Sequence, residues 1–291
     1  MNKYLNLTKG QIKTRMKYVI PKNILFKEYI TKKRSQEDIA KEFKVSQWLI
    51  GQRLHSYKIK SREKTWKLNP RKYYVNHKFF DVINTTNAWV LGWILSDGFI
   101  NKNTNAFGIK INKKDKDILL KIKELINYSG KILTTKTYLK ITNKSYNHLL
   151  LKISSQRIVK RLNSLGIYHG KTKKELFIEQ IKKSNNEEII KSFIKGIFEG
   201  NGSIVYTKNS LLFQIVGTKE LLLDIQLFLM KYLGLGKTKL TRNIQKGNNW
   251  LLRYRGNKQA LNIFNWLYSN NRLHLNRKYK KYLRIKRILE K

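Results

Sequence analysis

No cysteine occurs among the 291 residues, which excludes a disulfide scaffold, a thiolate zinc site and a cysteine nucleophile. Only two prolines are present, and with 41% hydrophobic and 12% aromatic residues the chain is neither collagen-like nor disordered. Long apolar runs are missing too. Trp89 to Leu95 ends at an acid well short of the about 18 residues a membrane span needs, so no membrane partner is expected. The five histidines show no ligand spacing, and neither a P-loop nor a dinucleotide fingerprint occurs, which leaves zinc and nucleotide-hydrolysing chemistry without a constellation. The first 27 residues contain no acid, yet they lack the apolar stretch of a signal peptide and are richer in Lys than a transit segment, so an intracellular setting is expected. The wealth of Lys, Asn, Ile and Tyr resembles AT-rich coding, without choosing among a phage, an organelle or a low-GC bacterium.

Acid is the scarcest class: 18 Asp and Glu stand against 62 Lys and Arg, a formal charge of +44. Such a surplus repels itself unless a polyanion neutralises it, and counterion release then supplies salt-dependent affinity. Nucleic acid is the expected partner, with an anionic membrane surface the weaker reading.

Residues 23 to 60 carry helical periodicity broken by one tight turn. A first helix holds Ile24, Leu25, Phe26, Tyr29 and Ile30; Ser35 with Asp38 caps a second holding Ile39, Ala40 and Phe43. A cap at Ser46 opens a third, with Leu49, Ile50 and Leu54 inward and Gln47, Trp48, Gln52, Arg53 and His55 toward solvent. Ala40, Val45 and Ile50 make this resemble a helix-turn-helix, with Lys44 at the turn position where a glycine is usual because φ is positive. That resemblance places the third helix in the major groove, with Gln47, Gln52 and Arg53 reaching base edges or phosphates. A basic linker, 61–85, follows.

The remainder repeats itself. The run Ala88 to Ile100 has a counterpart in Phe193 to Ile204. After each come a strand-like segment, an amphipathic helix, two alternating strands and a further helix. Small residues recur four apart in both opening helices, Gly92 with Ser96 and Gly196 with Gly200, so two helices can approach backbone to backbone. Gly98 and Gly202 end them and suit left-handed caps. Asp97 sits at one helix end, and Glu199 and Asn201 at the other, where carboxylates oppose the macrodipole; metal binding is one reason for such a placement, and a local turn preference of Asp97 is another.

With Val90–Gly98 and Ile194–Gly202 as two nine-residue motifs, the sequence resembles the LAGLIDADG homing endonucleases in their two-motif, single-chain form, over about residues 86 to 291. The resemblance implies an α+β fold of two pseudo-symmetric αββαββα halves, residues 86–182 and 183–291, forming a saddle of two antiparallel sheets, preceded by the small all-α helix-turn-helix domain, residues 1–60. It implies acids binding Mg²⁺ at the eighth motif position, which is Asp97 in the first motif and Asn201 in the second. Asn201 offers an oxygen but no charge. Glu199, about 200° from Asn201 around an ideal helix, is either a metal ligand released by unwinding or an interhelical polar contact. The family's basic residue after the last helix of each half falls on Lys171 and Lys278, and its polar residue ending the second strand on Lys113 and Thr218.

Alternation puts Lys136, Tyr138 and Lys140 on one sheet face, with Thr137, Leu139 and Ile141 against helices; Lys237, Lys239, Thr241 and Asn243 share another, as do Arg253 and Arg255. Trp89 and Trp93 are assigned to helix packing. The function expected is a monomeric, site-specific, Mg²⁺-dependent double-strand DNA endonuclease of the intron-homing type. Asn201 motivates the alternative: a nicking or silent DNA-binding regulator, or an intron RNA maturase, on the same scaffold.

Overall fold

The computed structural model describes residues 20–60, 73–139, 143–170, 174–243, 249–269 and 272–290. The chain divides into two compact units, residues 1–71 and 72–291.

In the first unit, α1 (Lys22–Phe26) runs into a π-helical turn (Lys27–Thr31), followed by α2 (Gln36–Phe43) and α3 (Gln47–Ser56). Ser35 accepts the Asp38 N–H at 3.0 Å and donates to Asp38 Oδ2 at 2.6 Å, and Ser46 accepts the Leu49 N–H at 3.3 Å. Both caps satisfy amides that the first helical turn leaves over. Between the two helices Lys44 takes φ 53°, so the turn keeps its left-handed residue and a Cβ bears the strain. Leu25, Tyr29, Ile39, Ala40, Phe43, Ile50 and Leu54 form the core, while Phe26 is exposed.

The second unit starts earlier than the composition implied. Residues 73–84, expected as linker, pack on the core: Val75 and Phe80 are buried, and the Asn76 N–H donates to Ile126 O at 2.9 Å. Then come α4 (Thr85–Asp97), β1 (Gly98–Asn101), β2 (Ala106–Asn112), α5 (Lys116–Leu125), β3 (Leu133–Leu139), β4 (Lys144–Ser154) and α6 (Gln156–Ser164). After α7 (Glu179–Lys183) the order recurs as α8 (Glu187–Asn201), β5 (Gly202–Thr207), β6 (Ser210–Gly217), α9 (Lys219–Leu233), β7 (Thr241–Asn243), β8 (Asn249–Arg255) and α10 (Asn257–Leu267). A last helix, α11 (Asn276–Leu289), completes the unit. The antiparallel sheets have matching orders, β1-β2-β4-β3 and β5-β6-β8-β7. This is the α+β fold of two αββαββα halves.

One hydrophobic core runs through both halves. At its centre α4 and α8 touch through their backbones. A Cβ on Gly92 would meet Ile197 N at 2.8 Å and Gly196 Cα at 2.9 Å, and one on Gly196 would strike the Trp89 carbonyl. Asn84 and Asn87 form a reciprocal capping box that starts α4, and Asn186 caps α8. The expected left-handed glycine caps are not what ends these helices: Gly98 and Gly202 have φ of −87° and −97°, extended backbone open to any residue. Glycine is needed there for space, since a Cβ would lie 2.5 Å from Ile94 O or Phe198 O as the chain folds back over the last turn. Arg277 bonds Asp115 through Nε at 2.9 Å and Nη2 at 3.0 Å, and the Asn276 N–H bonds Asp117 Oδ2 at 3.0 Å, tying α11 of the second half to the first.

Candidate functional site

The two motif helices end side by side, and a cleft of about 360 Å³ opens at their tips. Ser96, Asp97 and Gly98 line it from α4 and its exit, Asn201 from α8, Val216 and Gly217 from β6, and Asn249 from β8. The Asp97 carboxylate lies against the neighbouring helix, since a Cβ on Gly200 would meet Asp97 Oδ2 at 2.7 Å and Ser96 Cβ at 2.6 Å. The four small-residue positions Gly92, Ser96, Gly196 and Gly200 therefore set the separation of Asp97 and Asn201. A helix C-terminus gathers carbonyl oxygens and partial negative charge, so the α4 tip favours a cation at the cleft.

Glu175 lines the same cleft and carries no periodic or motif signal in the sequence. Its backbone carbonyl accepts the Thr218 hydroxyl, and the buried Phe177 and Ile178 anchor the chain just beyond it. Its one mark in the sequence is that of a charged residue directly before an apolar run, Leu176 to Ile178, in a segment joining two repeats.

Glu199 is elsewhere. Its carboxylate is buried and accepts from Trp89 Nε1 at 2.8 Å, Trp93 Nε1 at 3.4 Å and the Leu275 N–H at 2.8 Å. It is an interhelical tie, not a metal ligand, because α8 stays wound to Asn201 and all three donors lie away from the cleft. Burial pushes its carboxyl up to about 7, against the pull of the Leu275 and Trp89 N–H groups and of Lys195 and Lys278. Trp89 and Trp93 are packed in the core as expected.

Lys278 caps the second motif helix. Its ammonium donates to Phe198 O at 2.8 Å, Glu199 O at 2.7 Å and Gly202 O at 2.6 Å, which uses all three of its N–H groups. The expected role of a cation offered to phosphate or water is corrected accordingly: Lys278 offsets the macrodipole and fixes the turn that carries Asn201. Burial brings its ammonium down to about 8, with Glu199 pulling the other way. Lys171 lies outside the described residues.

Thr218 is likewise buried and structural, accepting the Leu221 N–H at 3.3 Å as the N-cap of α9. Lys113 is exposed in a short 3₁₀ turn after β2.

Strand register decides which side chains share a face. Phe107, Ile109 and Ile111 pair with Ile153, Leu151 and Leu149, and all six enter the core. Lys136 pairs with Asn147 and Tyr138 with Ser145, which are in phase with Leu149, so both belong to the core-facing side, beyond where it is covered. Thr137 is on the opposite, open side, where it accepts from Lys110 Nζ at 2.7 Å. The expected phase of this strand is thus reversed, because the polar residues of β3 carry no apolar marker of which side is inward. Lys140 lies outside the described residues. In the second sheet the expectation and the register agree. Phe213, Ile215, Leu252 and Tyr254 face the core, and Arg253, Arg255 and Thr241 occupy the open side with Gln214 and Ser203. Lys237 and Lys239 are exposed just before β7. In the first unit, Gln47, Trp48, Gln52 and His55 are exposed on α3 and Arg53 is half-buried.

Among the described residues no three His, Asp or Glu gather as a metal cluster, and no helix is long and apolar enough to cross a membrane. The family model described as WhiA LAGLIDADG-like domain matches residues 86–180 and 190–249. The uncharacterized protein MJ0314 of Methanocaldococcus jannaschii is 24% identical over 152 residues, covering 51% of this chain and 54% of that protein. The chain thus spans about half the length of the curated relative it matches. Among solved structures, the I-LtrWI LAGLIDADG homing endonuclease bound to target DNA is similar at 15% identity and a TM-score of 0.46, over 71% of this chain and 90% of that one. Full-length DUF199/WhiA from Thermatoga maritima is similar at 15% identity and 0.46, over 72% of this chain and 64% of that one.

Proposed function

The chain belongs to the WhiA LAGLIDADG-like domain family, and from that premise we propose that it binds double-stranded DNA on the open sheet faces and hydrolyses a phosphodiester at the cleft between its motif-helix tips. The observation that carries this reading is the placement of Asp97 and Asn201 at one cleft through a glycine-lined helix pair. The donor set fits a hard divalent ion such as Mg²⁺: a carboxylate oxygen from Asp97, a neutral amide oxygen from Asn201, and Glu175 lining the same cleft, with no nitrogen or sulfur donor in the lining side chains but the two asparagine amides. When bound, that ion supplies an activated water and charge neutralisation at the scissile phosphate. Asp97 contributes the negative charge that holds it. Gly200, with no side chain, leaves the Asp97 carboxylate its position beside α8, and Lys278 keeps the α8 tip wound so that Asn201 points into the cleft.

The test is a supercoiled plasmid carrying the joined flanks of the gene, incubated with Mg²⁺. Linear product that disappears in Asp97→Ala supports hydrolysis at this cleft; full activity of that variant removes Asp97 from the chemistry.

A second reading, a nicking enzyme or a DNA-binding regulator, is favoured by one residue. Asn201 leaves the α8 tip without a carboxylate, so the two strands of a duplex would meet unequal groups. Open-circular product alone, or tight binding without any cleavage, supports it, and Asn201→Asp then raises the linear fraction.

A further inference from the structure

The two sheets begin with the same row and then diverge. Gly98 pairs with Ile109 and Ile109 with Leu151; in the second half Gly202 pairs with Ile215 and Ile215 with Leu252. The neighbouring row, on the open side, is therefore equivalent in the two halves: Phe99–Gly108–Lys152 in the first sheet, Ser203–Gln214–Arg253 in the second. In the first, Phe99 covers Gly108, where a Cβ would meet its Cζ at 2.7 Å. In the second the same space holds a polar chain. Arg253 Nε donates to Gln214 Oε1 at 2.8 Å, Arg253 Nη1 to Thr241 Oγ1 at 3.5 Å, and Gln214 Nε2 to Ser203 Oγ at 3.4 Å.

This chain orients a guanidinium. The Arg253 Nε–H donates to the Gln214 amide oxygen, which turns the amide nitrogen to Ser203. Two of the five guanidinium donors are occupied, and those that remain lie on an exposed, planar fork held by β6 and β7. No carboxylate belongs to the row, so the charge is presented outward and not neutralised within it. A fixed planar fork matches the O6 and N7 acceptors of guanine in the major groove, a pairing that discriminates among bases where a phosphate contact does not.

We propose that Arg253, held by Gln214 and Ser203, is a specificity-determining residue that reads a guanine in one half of the duplex site, and that the equivalent position of the other half, facing Phe99 and Lys152, carries no such preference. The inference rests on the DNA-binding reading above. Its consequence is a target that is asymmetric at these paired positions.

The experiment is in vitro selection of the full chain on a pool of duplexes with a randomised central segment, compared with Arg253→Lys, Arg253→Ala and Gln214→Ala. Wild type is expected to enrich guanine at one position of one half-site. Arg253→Lys keeps the charge and the salt dependence but loses that guanine by roughly ten- to a hundredfold. Gln214→Ala weakens the same position only, and thermal unfolding of the Arg253 variants stays at the wild-type temperature because the side chain is exposed. A base profile unchanged in Arg253→Ala, or a preserved guanine in Arg253→Lys, overturns the proposal while duplex binding stands. Absence of any duplex binding in wild type overturns the DNA reading itself.

Discussion

Buried carboxylates are costly unless every oxygen is met by donors, and Glu199 shows the cost at residue scale. Three N–H groups reach it, yet burial still raises its carboxyl from 4.5 to about 7. Because the folded value lies above the unfolded one, the proton is held more tightly in the native state. The stability this contributes is complete below about pH 4.5 and is lost as pH rises through about 7. The loss corresponds to about 3 kcal/mol across that window. Urea unfolding at pH 5, 6, 7 and 8 should show it in wild type, and the difference between wild type and Glu199→Gln should vary with pH over that range. A difference that stays constant would place the titration elsewhere. Asp97 is half-buried and lines the cleft where Glu199 is sealed in the core, although both sit near the ends of equivalent helices.

At the scale of elements, the α4–α8 pair depends on absent side chains and one ammonium. Gly196→Ala places a methyl group against backbone of α4, which cannot yield as a side chain would, and should cost about 1–3 kcal/mol. Gly217→Ala, where a Cβ finds ordinary contacts at 3.5 Å, is the control and should leave the melting temperature nearly unchanged. Lys278→Met strips three carbonyls at the α8 exit of their donor and should lower stability by about 3 kcal/mol and reduce cleavage, although Lys278 has no N–H left for DNA. A variant that loses cleavage with unaltered stability would restore the catalytic reading. The helix pair and element order were legible because four-residue spacing of small residues and periodic apolar positions are written in sequence. The phase of β3 was not, since Thr135, Lys136, Thr137 and Tyr138 are polar on both sides and only pairing with Leu149 resolves them. Lys278 was found by position, but its three partners depend on where α11 docks. Glu175 had no pattern because a connecting segment has no period.

The whole molecule carries +44 on two units whose cores share no residue. Separate cores imply separate cooperative transitions. Unfolding enthalpy scales with length at about 0.7 kcal/mol per residue, so the unit of residues 1–71 should absorb about a third of the heat of the unit of residues 72–291. Calorimetry should therefore resolve a small and a large transition, and a chain of residues 72–291 should retain the large one. The same deletion tests how the charge is used. Affinity for a B-form duplex falls with salt at a slope near −0.9 per phosphate neutralised, so removing a unit that contacts the backbone reduces the slope as well as the affinity. If the first unit engages the DNA backbone through its cations, Arg53 of α3 among them, the slope for residues 72–291 is shallower than that of the full chain. An identical slope would mean that the first unit adds no phosphate contacts and that the open sheet faces carry the electrostatic affinity alone.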